Sequence, residues 1–168
     1  MTRYRCIVAD PPWHESGGGR IKRGADRHYP LMKTHEIAAL MSRLVGELAE
    51  PDCHLWLWVT DNHLRGGLAV LDAVGFRYIR TLAWVKPSIG LGYYLRGQHE
   101  LCLLAVRGTL APLGRSVPSV VRGPKRRHSQ KPDEAFSAIE RVSPGPRIEL
   151  FARAERVGWE TWGDEVRP

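Results

Sequence analysis

An apolar run that stops at two prolines limits this chain more than any other feature. Cys6-Ile7-Val8-Ala9 is short, apolar and β-branched at its centre, so it reads as a buried strand. Pro11 and Pro12 cannot continue a backbone ladder and impose a rigid, extended exit from it. Asp10 therefore stands at the carboxyl end of a strand. Two carbonyls with no competing N–H follow it, then the flat ring of Trp13. In open α/β sheets this edge is where ligands bind. An acid, stiff carbonyls and an aromatic face suit the gripping of an exocyclic amino group on a planar base. Asp10 and the Pro11 carbonyl can each accept one N–H, and Trp13 supplies a stacking or wall surface. The same residues also fit a Pro-Pro turn with a helix-capping Asp and a half-buried Trp.

Strand and helix patterns alternate along the rest of the 168 residues. Thr34 is placed to cap a helix with Glu36 in its first turn. Ile37, Leu40, Met41, Leu44, Val45 and Leu48 line its apolar face, and Pro51-Asp52 is the expected stop. Residues 54–59, His-Leu-Trp-Leu-Trp-Val, form the strongest strand, with Thr60-Asp61-Asn62 as its polar end. A second helix is predicted over 63–74, with Leu64, Leu68 and Leu71 inward and Gly75 at C′. Strands are expected over 78–85 and 100–106, separated by a glycine- and tyrosine-rich loop; Glu100 reads as a strand-start residue. A short strand fits 119–121. Pro132 suits N1 of a helix reaching about Val142, with Asp133 and Glu134 in its first turn. Strands over 147–151 and 159–162 close the chain. The order predicts one three-layer α/β domain over 1–168, a mostly parallel sheet with helices on both faces.

The charge is uneven. The chain carries a formal +7, and its basic residues gather in two segments without apolar periodicity. One is the mobile loop expected over about 14–32, with Arg20, Lys22, Arg23 and Arg27. The other spans about 108–131, with Arg122, Lys125, Arg126, Arg127 and His128. Loops of this length inside a compact domain are usually functional or disordered. Arg23, Arg126 and Arg127 are thus candidates for tracking a phosphate backbone, against the plainer reading of solvated loop charge. Cys6, Cys53 and Cys102 each fall in an apolar run without a Cys-x-x-Cys pair, which favours reduced buried thiols. No His-Glu-x-x-His pattern occurs, and no metal is expected. The absence of a long apolar run and of a signal-peptide pattern predicts a cytoplasmic protein without membrane contact.

No Gly-x-Gly-x-x-Gly lies between a strand and a helix, so the standard dinucleotide fingerprint is missing. Other motifs run in order along nearly the whole chain. They are Asp10-Pro11-Pro12-Trp13, Tyr29-Pro30 before Met32, Leu57-Trp58-Val59-Thr60, and Gly75-Phe76 before Trp84-Val85-Lys86. Glu100 with Arg107-Gly108, His128-Ser129-Gln130-Lys131-Pro132, and Ile148-Glu149-Leu150-Phe151-Ala152-Arg153 complete the set. In these the chain resembles the MT-A70 family, the DPPW-type N6-adenine methyltransferases. The Asp-Pro-Pro-Trp motif followed by Lys-Pro before a helix and an Ile-Glu-Leu-Phe-x-Arg strand makes the resemblance specific.

The resemblance implies a permuted, Rossmann-like methyltransferase sheet with the catalytic strand first and the cofactor strand last. It implies S-adenosylmethionine as cofactor. Lys131 would pair with its methionine carboxylate, Arg153 would contact its ribose with Glu149 in support, and Asp10 would act on the base or on the cofactor ammonium. Asp164 and Glu165 stand at the cofactor-binding positions where the RNA enzymes hold adenine and ribose with Asn-Gln, and Glu155-Arg156 replace the family's His-Asn at a further cofactor contact. Asp10, Pro11, Pro12 and Trp13 form the implied catalytic motif; Tyr29 and Lys86 are candidates for the substrate side. The implied activity is methylation of adenine N6 in nucleic acid. DNA is favoured over RNA because no appended RNA-binding module is visible. RNA N6-adenosine methylation is the alternative. A catalytically inactive, nucleic-acid-binding partner subunit is the alternative of another class, and a homo- or heterodimer is compatible with either.

Overall fold

The computed structural model describes residues 2–14, 31–92, 94–126 and 130–163. Alternation along the two central strands decides its layering. In β1 (Tyr4–Ala9), Ile7 and Ala9 pack on one face and Cys6 and Val8 on the other. In β2 (Ala49–Val59), Leu55, Leu57 and Val59 separate from Trp56 and Trp58 in the same way. Both faces are therefore covered. The first is covered by α1 (Thr34–Leu48), through Ile37, Met41, Leu44 and Val45, and by α2 (Leu64–Ala73), through Val70 and Leu71. The second takes α3 (Asp133–Val142), whose Ala135, Phe136, Ala138 and Ile139 join Trp56, Trp58 and Trp84. The result is the three-layer α/β arrangement that the sequence predicts.

The remaining strands are β3 (Arg77–Val85), β4 (His99–Arg107), β5 (Val120–Arg122), β6 (Arg147–Leu150) and β7 (Glu160–Trp162), in the order β5-β3-β4-β2-β1-β6-β7. The pairs β1–β2, β1–β6, β3–β5 and β6–β7 are parallel. Only β4 runs against its neighbours β2 and β3, because the loop after β3 folds the chain straight back beside it. The first strand and a late one thus meet: Cys6 lies opposite Arg147 and Val8 opposite Glu149. This is the permuted, Rossmann-like order.

Several local expectations need correcting. Pro51-Asp52 does not end α1; the helix stops at Leu48 and both residues lie inside β2. Proline is tolerated there because the β1–β2 register shifts between Tyr4 and Cys6, so no β1 partner needs its missing N–H. Leu68 is not inward: a 3₁₀ turn over Asp61–His63 shifts the phase of α2, which leaves Leu68 exposed and buries Gly67, Val70 and Leu71 instead. Lys33 rather than Thr34 occupies the N-cap of α1, where its backbone N–H donates to the Glu36 carboxylate at 2.6 Å. Pro132 is the N-cap of α3 and not N1. The expected short strand lies at Val120–Arg122.

The irregular start of β2 is closed by the end of β4. Arg107 Nη2 donates to the carbonyls of Ala49 and Glu50 at 3.0 and 2.7 Å. The Thr109 N–H donates to Asp52 Oδ1 at 2.6 Å. Gly108, at φ 71°, makes this corner possible, since a Cβ there would lie 2.1 Å from Asp52 Oδ1. Gly108→Ala should therefore cost about 2 kcal/mol or more. In a chain of this size that lowers the thermal midpoint by about 4–8 °C, measurable by circular dichroism; an unchanged midpoint would contradict the packing described.

Candidate active site

At the end of β1 the chain turns on its own hydrogen bonds. The Trp13 N–H donates to the Pro11 carbonyl at 2.9 Å, and the Met32 N–H to the Pro12 carbonyl at 2.8 Å. The expectation of two uncontested carbonyls is thus corrected. Pro12 is engaged by the segment entering α1, while the Pro11 oxygen keeps one lone pair for another donor. Trp13 is 7% exposed. Its indole N–H donates to the Trp58 carbonyl at 2.9 Å, and its ring stacks on His63 with centroids 5.4 Å apart. His63 Nε2–H donates to the His14 carbonyl at 2.9 Å, so Nδ1 accepts the Thr60 hydroxyl at 2.8 Å. Trp13 is a buried pillar that stiffens the turn; of the stacking or wall surface expected, its packing leaves no open stacking face.

Asp10 carries the turn's only carboxylate and is met by two cations. Lys131 Nζ lies 2.9 Å from Asp10 Oδ2, and Arg153 Nη2 lies 3.7 Å from the same oxygen. Lys131 also bonds Glu100 Oε2 at 2.9 Å, and the other Glu100 oxygen takes Lys86 Nζ at 2.5 Å. Lys131 Nζ is further held 5.2 Å over the ring of Trp58, and Lys86 Nζ 5.0 Å over Trp84. Burial pulls the Lys131 pKa down, but Asp10 and Glu100 together outweigh it and raise the pKa. Burial likewise opposes ionisation of Glu100, yet Lys131 and Lys86 together hold its carboxyl below the usual range. The four side chains form one continuous, charge-balanced row.

Beside this row opens a cavity of about 420 Å³, whose wall includes Asp10, Lys131, Glu149, Arg153, Arg126 and Arg156. Such a volume lies in the range of small-molecule sites. Glu149, opposite Val8 in the β1–β6 ladder, shares the Asp10 side of the sheet. Burial, reinforced by the Asp10 charge, pushes its carboxyl up to about 7. Of the residues singled out in the sequence, the fold brings together Asp10, Lys131, Glu149, Arg153 and Arg126. Lys86 reaches the site only through Glu100. Glu100 is more than a strand-start residue: it is the bridge between two lysines. Its signal in the sequence was a lone acid opening an apolar strand. Glu155 and Arg156, which the resemblance also singles out, line the cavity together with Asp133 and Phe136. Tyr29, Arg23, Arg127, Asp164 and Glu165 lie outside the described residues. Among the described residues, no group of three or more His, Cys, Asp and Glu side chains can hold a metal, and no helix is long and apolar enough to cross a membrane.

The MT-A70 family model matches residues 4–165. The chain belongs to the MT-A70 family. It is 30% identical to the "Type II methyltransferase M.MunI" of Mycoplasma sp, over 98% of this chain and 78% of that protein. It is also 30% identical to the human "N(6)-adenosine-methyltransferase catalytic subunit METTL3" and to the Drosophila melanogaster "N(6)-adenosine-methyltransferase MT-A70-like protein". Each is matched over 99% of this chain but only 29% and 27% of the relative's own length. The chain thus spans less than a third of those two.

MT-A70 methyltransferases use S-adenosylmethionine, and the cavity suits it. An amino acid head group needs an anion and a cation close together, and Asp10 with Lys131 and Arg153 provides them at one wall. Glu149 supplies a test of this electrostatic arrangement. Its folded pKa is raised above the ordinary 4.5, so the folded state holds the proton more tightly than the unfolded chain. The stability this contributes is present below the ordinary value and lost as pH rises to about 7. Glu149→Gln should match the wild type near about pH 4 and exceed it by on the order of 2–3 kcal/mol at about pH 8, in urea unfolding. Equal stability at both pH values would contradict the buried placement of this carboxyl.

Proposed function

We propose that this protein transfers the methyl group of S-adenosylmethionine to the N6 amino group of adenine in nucleic acid, with DNA as the favoured substrate. The observation that carries the reading is the Asp10–Lys131 ion pair at the wall of the cavity. When bound, the cofactor supplies a methyl group activated by its positive sulfonium. The protein's task is to make a poor nucleophile adequate. The adenine amino lone pair is delocalised into the ring, and hydrogen bonds from N6–H to Asp10 and to the second lone pair of the Pro11 oxygen favour a more tetrahedral nitrogen. Lys131 and Arg153 both engage Asp10 through Oδ2, and Oδ1 would be the acceptor for the amino group.

Positioning carries most of the catalysis. Holding two reactants in line is worth up to about 7–11 kcal/mol. Stabilising the charge that develops on nitrogen adds less, about 2.7–4 kcal/mol by analogy with the loss of one oxyanion-hole donor. The rigid turn, pinned by Trp13 to Trp58 and by Pro12 to Met32, serves the larger of these contributions. Cofactor contacts come from Lys131 and Arg153, with Glu149 beside them; Arg126 and the basic run around it meet the nucleic-acid backbone. In a duplex the target base must leave the stack, at a cost of a few kcal/mol.

DNA is preferred on the likeness to the Type II methyltransferase M.MunI, which the human adenosine methyltransferase subunit equals in identity to this chain. The identity to that adenosine enzyme sustains RNA as the second reading, and its description as a catalytic subunit keeps a partner chain within the proposal. Incubation with S-adenosylmethionine and adenine-containing DNA or RNA strands, followed by digestion and mass spectrometry, should yield N6-methyladenine, in DNA above RNA. Asp10→Ala should lower the rate by about 10²–10³-fold or more. Methylation only of RNA would overturn the DNA preference, and unchanged activity in Asp10→Ala would overturn the mechanism.

A further inference from the structure

The connection between β3 and β4 is an ordered hairpin with an apolar tip. In its neck the Lys86 N–H donates to the Gln98 carbonyl at 2.8 Å and the Gly90 N–H to the Gly97 carbonyl at 2.7 Å. Gln98 Nε2 donates to the Lys86 carbonyl at 3.1 Å, and Arg96 Nε to the Gly90 carbonyl at 2.9 Å. The tip closes so sharply that a Cβ on Gly92 would lie 1.8 Å from the Leu95 carbonyl oxygen. Yet Leu91 is 82% exposed and Leu95 87%, and Ile89 and Tyr94 also reach solvent. The backbone is fixed, but the leucines it presents are held away from the core. The free energy of burying them is available only to something that binds there.

Position, charge and the reaction itself point to what binds. The hairpin rises from Lys86 and leads into Glu100, and both belong to the ion row that runs through Lys131 to Asp10. The tip therefore springs from the edge of the sheet at which the reacting base arrives. Residues 86–98 include Lys86 and Arg96 and no acid. Arg122 lies opposite Val85 in the β3–β5 ladder, and Lys125 is exposed beyond it. Glu100, at the hairpin's root, is matched by two lysines, and Asp61 is held 3.1 Å from His99. Exposed leucines among cations fit a polyanion with an apolar interior, which describes stacked bases between phosphate backbones. An adenine inside a duplex must leave its stack to be methylated. Inserted apolar side chains, leucine among them, are what open base steps.

We propose that Leu91 and Leu95 form a wedge that enters a DNA duplex and fills the place of the target adenine as it leaves the stack. The proposal rests on the methyl-transfer reading above and extends it to how the base reaches the site. The bonded neck gives the wedge its stiffness, and its root in the ion row ties it to Asp10. Both leucines are positioning residues, remote from the reacting atoms.

The test is the initial rate of N6-methyladenine formation on one linearised plasmid, offered as intact duplex or heat-denatured and chilled. The two forms present the same sequences with and without a paired stack to open. Leu91→Ser with Leu95→Ser should lower the rate on duplex about 10-fold or more and leave the rate on denatured DNA within about twofold. Leu91→Met with Leu95→Met, which keeps the apolar volume, should retain the duplex rate. Circular dichroism checks that each variant is folded; if the double serine variant is not, Leu91→Ser alone should show the same contrast at smaller size. An equal loss on both DNA forms, or an unchanged rate on duplex, overturns the wedge. So does sedimentation in which the serine variant dissociates a wild-type dimer, because the tip then covers a second copy of the chain. Wild-type protein that methylates denatured DNA but not duplex overturns it as well. Wild-type protein that methylates neither form overturns the DNA reading itself.

Discussion

A lysine ammonium buried between two carboxylates is the interaction on which the rest of this site depends. Lys131 is 9% exposed, and an unpaired charge at that depth would cost several kcal/mol. Asp10 and Glu100, each 2.9 Å away, more than offset the burial. The pairing has a geometric consequence beyond its energy. Asp10 follows β1, Glu100 lies in β4, Lys86 follows β3 and Lys131 precedes α3, so the row ties four separate segments to one edge of the sheet. Removing one partner leaves an uncompensated charge behind and is expected to cost about 3–5 kcal/mol. The row is therefore part of the fold and part of the chemistry at once.

Sheet order explains why these segments meet. β1 lies between β2 and β6, near the middle of seven strands, and Asp10 leaves it on the side that α3 covers. The Lys131-Pro132 pair sits at the start of that helix: Pro132 caps it in an extended conformation, and Lys131 just before it is carried over the ring of Trp58. Beneath the turn, Trp13 stacks on His63, which in turn bonds Thr60, so the Asp-Pro-Pro-Trp segment is braced by α2's approach as well as by β2. A carboxylate that must orient an amino group benefits from such bracing, because a loose acceptor gives up most of the advantage of alignment.

Much of the fold was legible in the chain because its strands are short, apolar and punctuated. The alternation of residues 54–59 and the proline stop after Ala9 predict β1 and β2 and the position of Asp10 directly. What was not legible arose from contacts between distant segments. Pro51 looks like a helix terminator, and only the register shift beside it, bridged by Arg107, lets it enter a strand. Leu68 fits an apolar face on paper, yet the 3₁₀ turn before α2 rotates it outward. In the site, Asp10 and Lys131 were readable as a motif, whereas the bridging role of Glu100 and the sharing of Asp133 between Arg126 and Arg156 depend on pairings that no local spacing encodes. Trp13 shows the same limit: its ring suggested a stacking or wall surface, and only tertiary packing reveals how far it is buried as a pillar.

The most direct test of the central claim is calorimetric titration of S-adenosylmethionine into the wild type and into Lys131→Ala, with circular dichroism showing that each is folded. Micromolar binding to the wild type and its loss in the variant are expected. Equal affinity in a folded Lys131→Ala, or no binding to folded wild type, would contradict the claim.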